Sequence, residues 1–145
     1  MSDEDSKSLA EAGTFGVEIT FRAKKMDKDR FIDELGKFLM SIAKDVESRK
    51  GGLVGHVKAF ARVDDGFVRL NIVDSELGLD VGDEIRSKQV TGGTIKVMAA
   101  VVGVDDHRVE EIIENRIEDL RKVMDIEVVE HEEHDDHDHC HEGGE

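Results

Sequence analysis

Proline, tryptophan and tyrosine are missing from this chain, and cysteine occurs once. No stretch reaches the roughly 18 apolar residues that a membrane-spanning helix needs, so no membrane association is expected. The lone Cys140 excludes an internal disulfide and fits a reducing compartment. The opening residues, Met-Ser-Asp-Glu-Asp-Ser, are acidic where a secretory signal needs a basic start and an apolar run, so a cytoplasmic location is expected. Basic residues are in deficit too: 20 Lys and Arg stand against 35 Asp and Glu, a formal net charge of -15. A field of that sign disfavours nucleic acid as a partner and leaves only local basic patches. Six Phe are the sole aromatics and 38% of residues are hydrophobic, which is thin but adequate for the core of one domain in 145 residues.

Catalytic motifs are also lacking. There is no G-x-S-x-G and no H-E-x-x-H, and the only cysteine lies near the C-terminus. The glycines of Gly51-Gly52-Leu53-Val54-Gly55 follow a helical pattern and lead into a strand, the reverse of a phosphate loop, and a helix C-terminus presents the wrong dipole for phosphate. They are read as turn residues. Asp105-Asp106-His107 is ordinary helix-start chemistry. No enzyme is expected.

What is present is patterned. Residues 1–13 are acidic and aperiodic, read as a disordered lead, and the fold is expected over residues 14–130. Phe15, Val17, Ile19 and Phe21 alternate as in a half-buried strand. After Asp27, a helix cap, the residues Phe31, Ile32, Leu35, Phe38, Leu39, Ile42 and Val46 recur every three or four positions, an amphipathic helix of about six turns. Val57, Ala59, Ala61 and Val63, then Val68, Leu70 and Ile72, form a hairpin. A two-residue Asp65-Gly66 loop would place Val63 opposite Val68 and Ala61 opposite Leu70. Residues 74–93 read as a long connection with at most a short irregular element. The apolar run 94–104 reads as a central strand covered on both faces over its second half. Asp105 or Asp106 then caps a second helix with the stripe Val109, Ile112, Ile113, Ile117, Leu120, Val123 and Met124, and a short strand over 126–129 closes the domain. Two one-striped helices with an antiparallel sheet predict an α+β sandwich of ferredoxin-like type, both helices on one face.

The other sheet face would display Glu18, Thr20, Arg22, His56, Lys58, Phe60, Arg62, Arg69, Asn71 and Lys96, oddly basic for so acidic a protein. In the register above Arg62 sits opposite Arg69, a like-charge pair that asks for an anion between them. Arg22, His56, Lys58, Arg62 and Arg69 are therefore candidates for holding a small anion, a partner's acidic surface or the chain's own acidic tail. The plainer alternative is that these long side chains extend into water. The exposed face and strand edges also suit a homo-oligomer.

The sharpest signal is the tail, residues 131–145, HEEHDDHDHCHEGGE. It holds His131, His134, His137, His139 and His141, five of the seven histidines, with Cys140 among them. Neutral imidazole and thiolate ligate nickel, cobalt and zinc, and the interleaved carboxylates concentrate cations. The irregular spacing argues against one rigid tetrahedral site and for a flexible chelator that exchanges ions readily, which suits capture and delivery. A solvating acidic tail with incidental histidines is the bland alternative. A purification appendage would be an uninterrupted histidine run, which this is not.

Gly52-Leu53-Val54-Gly55-His56-Val57-Lys58-Ala59-Phe60, placed after an amphipathic helix and before a hairpin, resembles a segment of the C-terminal accessory domains of CobW-type metallochaperone GTPases. Histidine-rich metal-binding stretches are common in that family. The resemblance spans about residues 15–130 and implies a stand-alone relative of the accessory domain, working beside a CobW-type GTPase or a client metalloprotein supplied by another chain. The family's GTPase domain, with its phosphate loop and cysteine motif, has no counterpart here, so nucleotide hydrolysis is not implied.

Overall fold

In the computed structural model, which describes residues 12–132, the alternation around Phe15 extends into a 16-residue strand, β1 (Ala12–Asp27). Phe15, Val17, Ile19 and Phe21 are all buried on one side of it, as period-two patterning requires. Helix α1 (Lys28–Glu47) follows directly and buries Phe31, Leu35, Phe38, Leu39, Ile42 and Val46. Asp27 holds the N-cap position without a side-chain capping bond. The Lys28 amide instead donates to the Lys88 carbonyl at 2.8 Å.

The chain continues through β2 (Leu53–Val63), β3 (Gly66–Ile72), β4 (Asp80–Ile85), β5 (Gln89–Val102), α2 (Asp106–Leu120) and β6 (Asp125–Glu132). The strands form one sheet in the order β4-β3-β2-β5-β1-β6, every neighbouring pair antiparallel. β1 and β2 therefore run parallel with β5 between them, joined by α1. β5 and β6 flank β1 in the same way, joined by α2. These interleaved split β-α-β units are the ferredoxin-like sandwich, extended beyond β2 by β3 and β4. Asp105 caps α2, its carboxylate accepting from the Arg108 amide at 2.9 Å, and Val109, Ile112, Ile113, Ile117 and Leu120 fill the layer between helix and sheet.

Three local expectations are corrected. Residues 74–93 are not a plain connection, since they contain β4 and the start of β5. β4 lies on the sheet edge and buries only Ile85, so it lacks the alternation that marks a half-buried strand. The β2–β3 hairpin closes two residues away from the expected register. Val63 pairs with Gly66, Ala61 with Val68 and Ala59 with Leu70, so the loop is Asp64-Asp65. A shift of two keeps every side chain on its own face, and hydrophobic patterning is blind to it. Gly66 sits where it does because its φ is +148° and a Cβ there would lie 2.1 Å from the Glu84 carbonyl oxygen of β4. Finally, β5 is central in strand order yet covered on one face only: Met98 is 45% and Val102 36% exposed. An unbroken run of Val, Ala and Met hides the alternation because both faces are apolar.

The link from β4 to β5 turns around the hairpin tip, where the Arg86 amide donates to the Asp65 carbonyl (3.2 Å) and the Ser87 hydroxyl to the Asp65 carboxylate (2.5 Å). At its start, Lys28 Nζ donates to the Ile85 carbonyl and pairs with Asp83, both at 3.0 Å. The Asp83 carboxylate also accepts from the Ile85 amide at 2.9 Å. That backbone bond first, and Lys28 after it, hold the Asp83 carboxyl below its ordinary pKa. A depressed acid stabilises the fold above its unfolded value and loses that contribution as pH falls through the folded one. Asp83→Asn is therefore expected to lower the melting temperature at pH 7. The gap to the parent should close in melts run below about pH 3, under the usual carboxylate range.

Candidate functional site

The open face is built by strand alternation alone. On β2, Lys58, Phe60 and Arg62 point away from the helices; on β3, Phe67, Arg69 and Asn71 do so; on β5, Thr94, Lys96 and Met98. The register sets Phe60 between Arg69 and Lys96, and Lys58 between Asn71 and Met98. Between these strands and β4 lies a groove of about 540 Å³, lined by Lys58, Phe60, Arg69, Asn71, Lys96 and Met98 and closed on the β4 side by Asp80, Val81 and Gly82. Its floor is apolar and three cations stand over it. Among the described residues, Asp80 supplies the only carboxylate in the lining.

Arg62 does not face Arg69, contrary to the expected register. Arg62 is opposite Phe67 and Arg69 opposite Phe60. The two rings lie 5.3 Å apart, and each guanidinium sits over one of them, Arg62 on Phe60 at 5.4 Å and Arg69 on Phe67 at 5.5 Å. Each such contact contributes about 0.5–1 kcal/mol at an exposed site. The like-charge clash that called for an intervening anion is thus replaced by an aromatic pair. Among the described residues, no carboxylate comes within 4.0 Å of the charged groups of Lys58, Arg62, Arg69 or Lys96. A groove of this kind suits an anion with a flat or apolar body.

Of the five residues expected to act together on this face, the groove unites Lys58 and Arg69. Arg62 stands one step further along β2. His56 lies on the far side of Lys58, half-buried and opposite Ala100. Burial first, and the Lys58 charge second, push its pKa below the ordinary histidine value, which keeps the imidazole neutral at pH 7. Arg22 stands outside the groove: on β1 it pairs with Gly92 and Asp125, across β5 from Arg62 and one step beyond the row that holds Arg62. Strand parity places Phe60, Asn71 and Lys96 on this face without assigning them to a site, and Met98 and Asp80 are additions from the structure. Met98 was legible from its parity with Lys96. Asp80 was not, because β4 carries no alternation by which to see it.

For metal ligation, no group of three or more His, Cys, Asp or Glu is assembled among the described residues. His131 lies in β6 opposite Val17, one residue short of that strand's end. His134, His137, His139, Cys140 and His141 fall outside the described residues. No helix among the described residues is long and apolar enough to cross a membrane. Comparison with known proteins finds no matching family model and no matching curated protein for this chain.

Proposed function

We propose that this is a non-enzymatic metal-binding accessory protein, a chaperone or store for nickel, cobalt or zinc, whose C-terminal segment captures the ion while the α+β domain docks a client. The observation that carries this reading is the concentration of five of seven histidines and the only cysteine in the last fifteen residues. β6 supports it by bringing the chain to the outer edge of the sheet, beside β1 alone among the described strands, with His131 still paired to Val17, so that the segment after Glu132 starts from an edge rather than from the core. Imidazole must be neutral to bind, so capture strengthens above the histidine pKa and reverses in mild acid. A CobW-type GTPase or a metalloenzyme under maturation is the client class that the sequence resemblance suggests.

The test is a calorimetric titration of the reduced protein with Ni(II), Co(II) and Zn(II), set against a chain ending at Glu132, which keeps every described strand. Binding tighter than about 10 μM, lost on truncation and weakened on going from pH 7.5 to pH 5.5, is expected. Affinity that survives truncation, or that never passes the millimolar range, overturns the reading.

The groove favours a second reading, an anion-binding module in which the tail is peripheral. An aromatic sulfonate such as 8-anilinonaphthalene-1-sulfonate matches its apolar floor and cationic rim. Lys58→Ala combined with Arg69→Ala is expected to weaken dye binding at least tenfold, about 1.4 kcal/mol, with folding stability lowered by no more than the contact of Arg69 on Phe67, about 0.5–1 kcal/mol. Equal fluorescence titrations for parent and variant would remove the groove from consideration.

A further inference from the structure

A second basic concentration lies at the opposite end of the sheet from the chain's C-terminal exit. Between Arg22 and Met26, β1 departs from regular pairing with β5: Arg22 faces Gly92 and Met26 faces Val90, so Ala23, Lys24 and Lys25 together oppose the single residue Thr91. A bulge of this kind bends the strand and re-aims its side chains. Lys25 is the one non-glycine among the described residues with positive φ, +46°, a conformation that L-residues adopt sparingly. The bulge opens beside the turn that links α2 to β6 and the first turn of α1. The three segments enclose a cleft of about 490 Å³ whose lining carries Arg22, Lys24, Lys25, Arg30, Arg121 and Lys122.

Among the described residues, only two carboxylates, Asp27 and Asp125, share that lining with the six cations. Three of the cations already have partners. Arg30 lies 3.9 Å from Glu34, Lys122 lies 3.6 Å from Asp119, and Arg121 contacts Glu118 at 3.2 Å while donating to the Ile126 carbonyl at 2.7 Å. The three from β1, Arg22, Lys24 and Lys25, have no carboxylate within 4.0 Å among the described residues. So many like charges in one cleft repel one another, and in a chain of net charge -15 they run against the overall balance.

We propose that this cleft binds a compact, multiply charged phosphate anion, an oligophosphate or the phosphate tail of a nucleotide. Its charge density calls for a ligand with several negative charges in a small volume, and Arg22 and Arg121 offer planar donors suited to phosphate oxygens. Among the described residues no aromatic side chain lines it, so the cleft offers no ring to stack on a base and recognition is of the phosphates alone. The negative field of the remaining molecule opposes a long polyanion that would run beyond the cleft and tolerates a short one seated inside it. This site is independent of the metal reading, shares no residue with the open-face groove, and neither stands nor falls with them.

The experiment titrates the metal-stripped full-length protein with inorganic tripolyphosphate at low ionic strength, followed by calorimetry. Dissociation constants below about 100 μM are expected, rising with added salt. Lys24→Ala with Lys25→Gly should weaken binding at least tenfold. Glycine suits φ +46°, so this variant is expected to melt no lower than the parent, which separates loss of the site from loss of the fold. Lys37→Ala with Lys44→Ala, exposed on α1 and outside both the cleft and the groove, removes the same charge and should leave tripolyphosphate binding unchanged. Adenosine triphosphate run in parallel identifies the source: equal affinity means that only the phosphates are read, and weaker affinity means a free oligophosphate. Millimolar binding, equal losses in both variant pairs, or citrate binding as tightly as tripolyphosphate would overturn the proposal.

Discussion

Phe31→Ala is expected to remove about 3–5 kcal/mol of folding stability, a large part of the roughly 5–15 kcal/mol that a domain has in total. Phe31 is wholly buried in the first turn of α1, its ring stacked on that of Phe21 with centroids 4.9 Å apart and planes 20° from parallel. Phe21 is the last core residue of β1 before the bulge, so the pair ties the helix start to the strand that precedes it. Alanine would leave a cavity lined by side chains that have no freedom to refill it. Urea unfolding reads the effect as a lower midpoint at unchanged slope. Phe31→Leu, which keeps most of the volume, should cost far less. A loss below about 1 kcal/mol for alanine would mean that the helix start is not anchored here.

Gly103→Ala is expected to cost about 2–5 kcal/mol by a different mechanism. Gly103 has φ +85°, which an L-residue adopts at a cost of about 1–2 kcal/mol. A Cβ there would also lie 2.0 Å from the Gly51 carbonyl oxygen and 2.6 Å from its carbon, both backbone atoms. Relieving that overlap requires the α1–β2 turn to part from the β5–α2 turn, adding about 1–3 kcal/mol. Gly51 provides the control, since its φ is +79° with nothing within 4 Å of a built Cβ. Gly51→Ala should show the conformational cost alone, and the difference between the two melting temperatures isolates the contact. Equal shifts would show that the two turns do not touch.

Strand faces and helix stripes were legible because burial imposes a period on the sequence. Phe15 to Phe21 in β1 and Val109 to Leu120 in α2 carry that period without interruption. What was not legible has one cause in several forms: the period says which side a residue faces and nothing about its neighbour. Hence the two-residue slip that set Arg62 against Arg69, and hence the edge strand β4, where only Ile85 is buried. Of the groove, Lys58 and Arg69 were assigned from parity, while Asp80 waited on a strand that was not recognised. The basic cleft was least accessible. Lys24 and Lys25 sit in an irregularity with no apolar signature, and Arg121 and Lys122 come from the other end of the chain. Their meeting is a property of topology.

Because β5 lies between β1 and β2, the parts of this molecule cannot be completed in the order in which they are made. Ile19 lies opposite Ile95, and Ala61 faces the same residue from the other side, so the middle of the sheet joins positions far apart in the chain. A chain growing on a ribosome assembles the α1 helix and the β2–β3–β4 meander from local contacts early. β1, by contrast, finds neither of its partners until most of the protein has been synthesised. Until then Phe15, Val17, Ile19 and Phe21 lack the strands that flank them in the finished sheet, and a nascent chain stalled before β5 is expected to expose that apolar row, the kind of surface that holding chaperones cover.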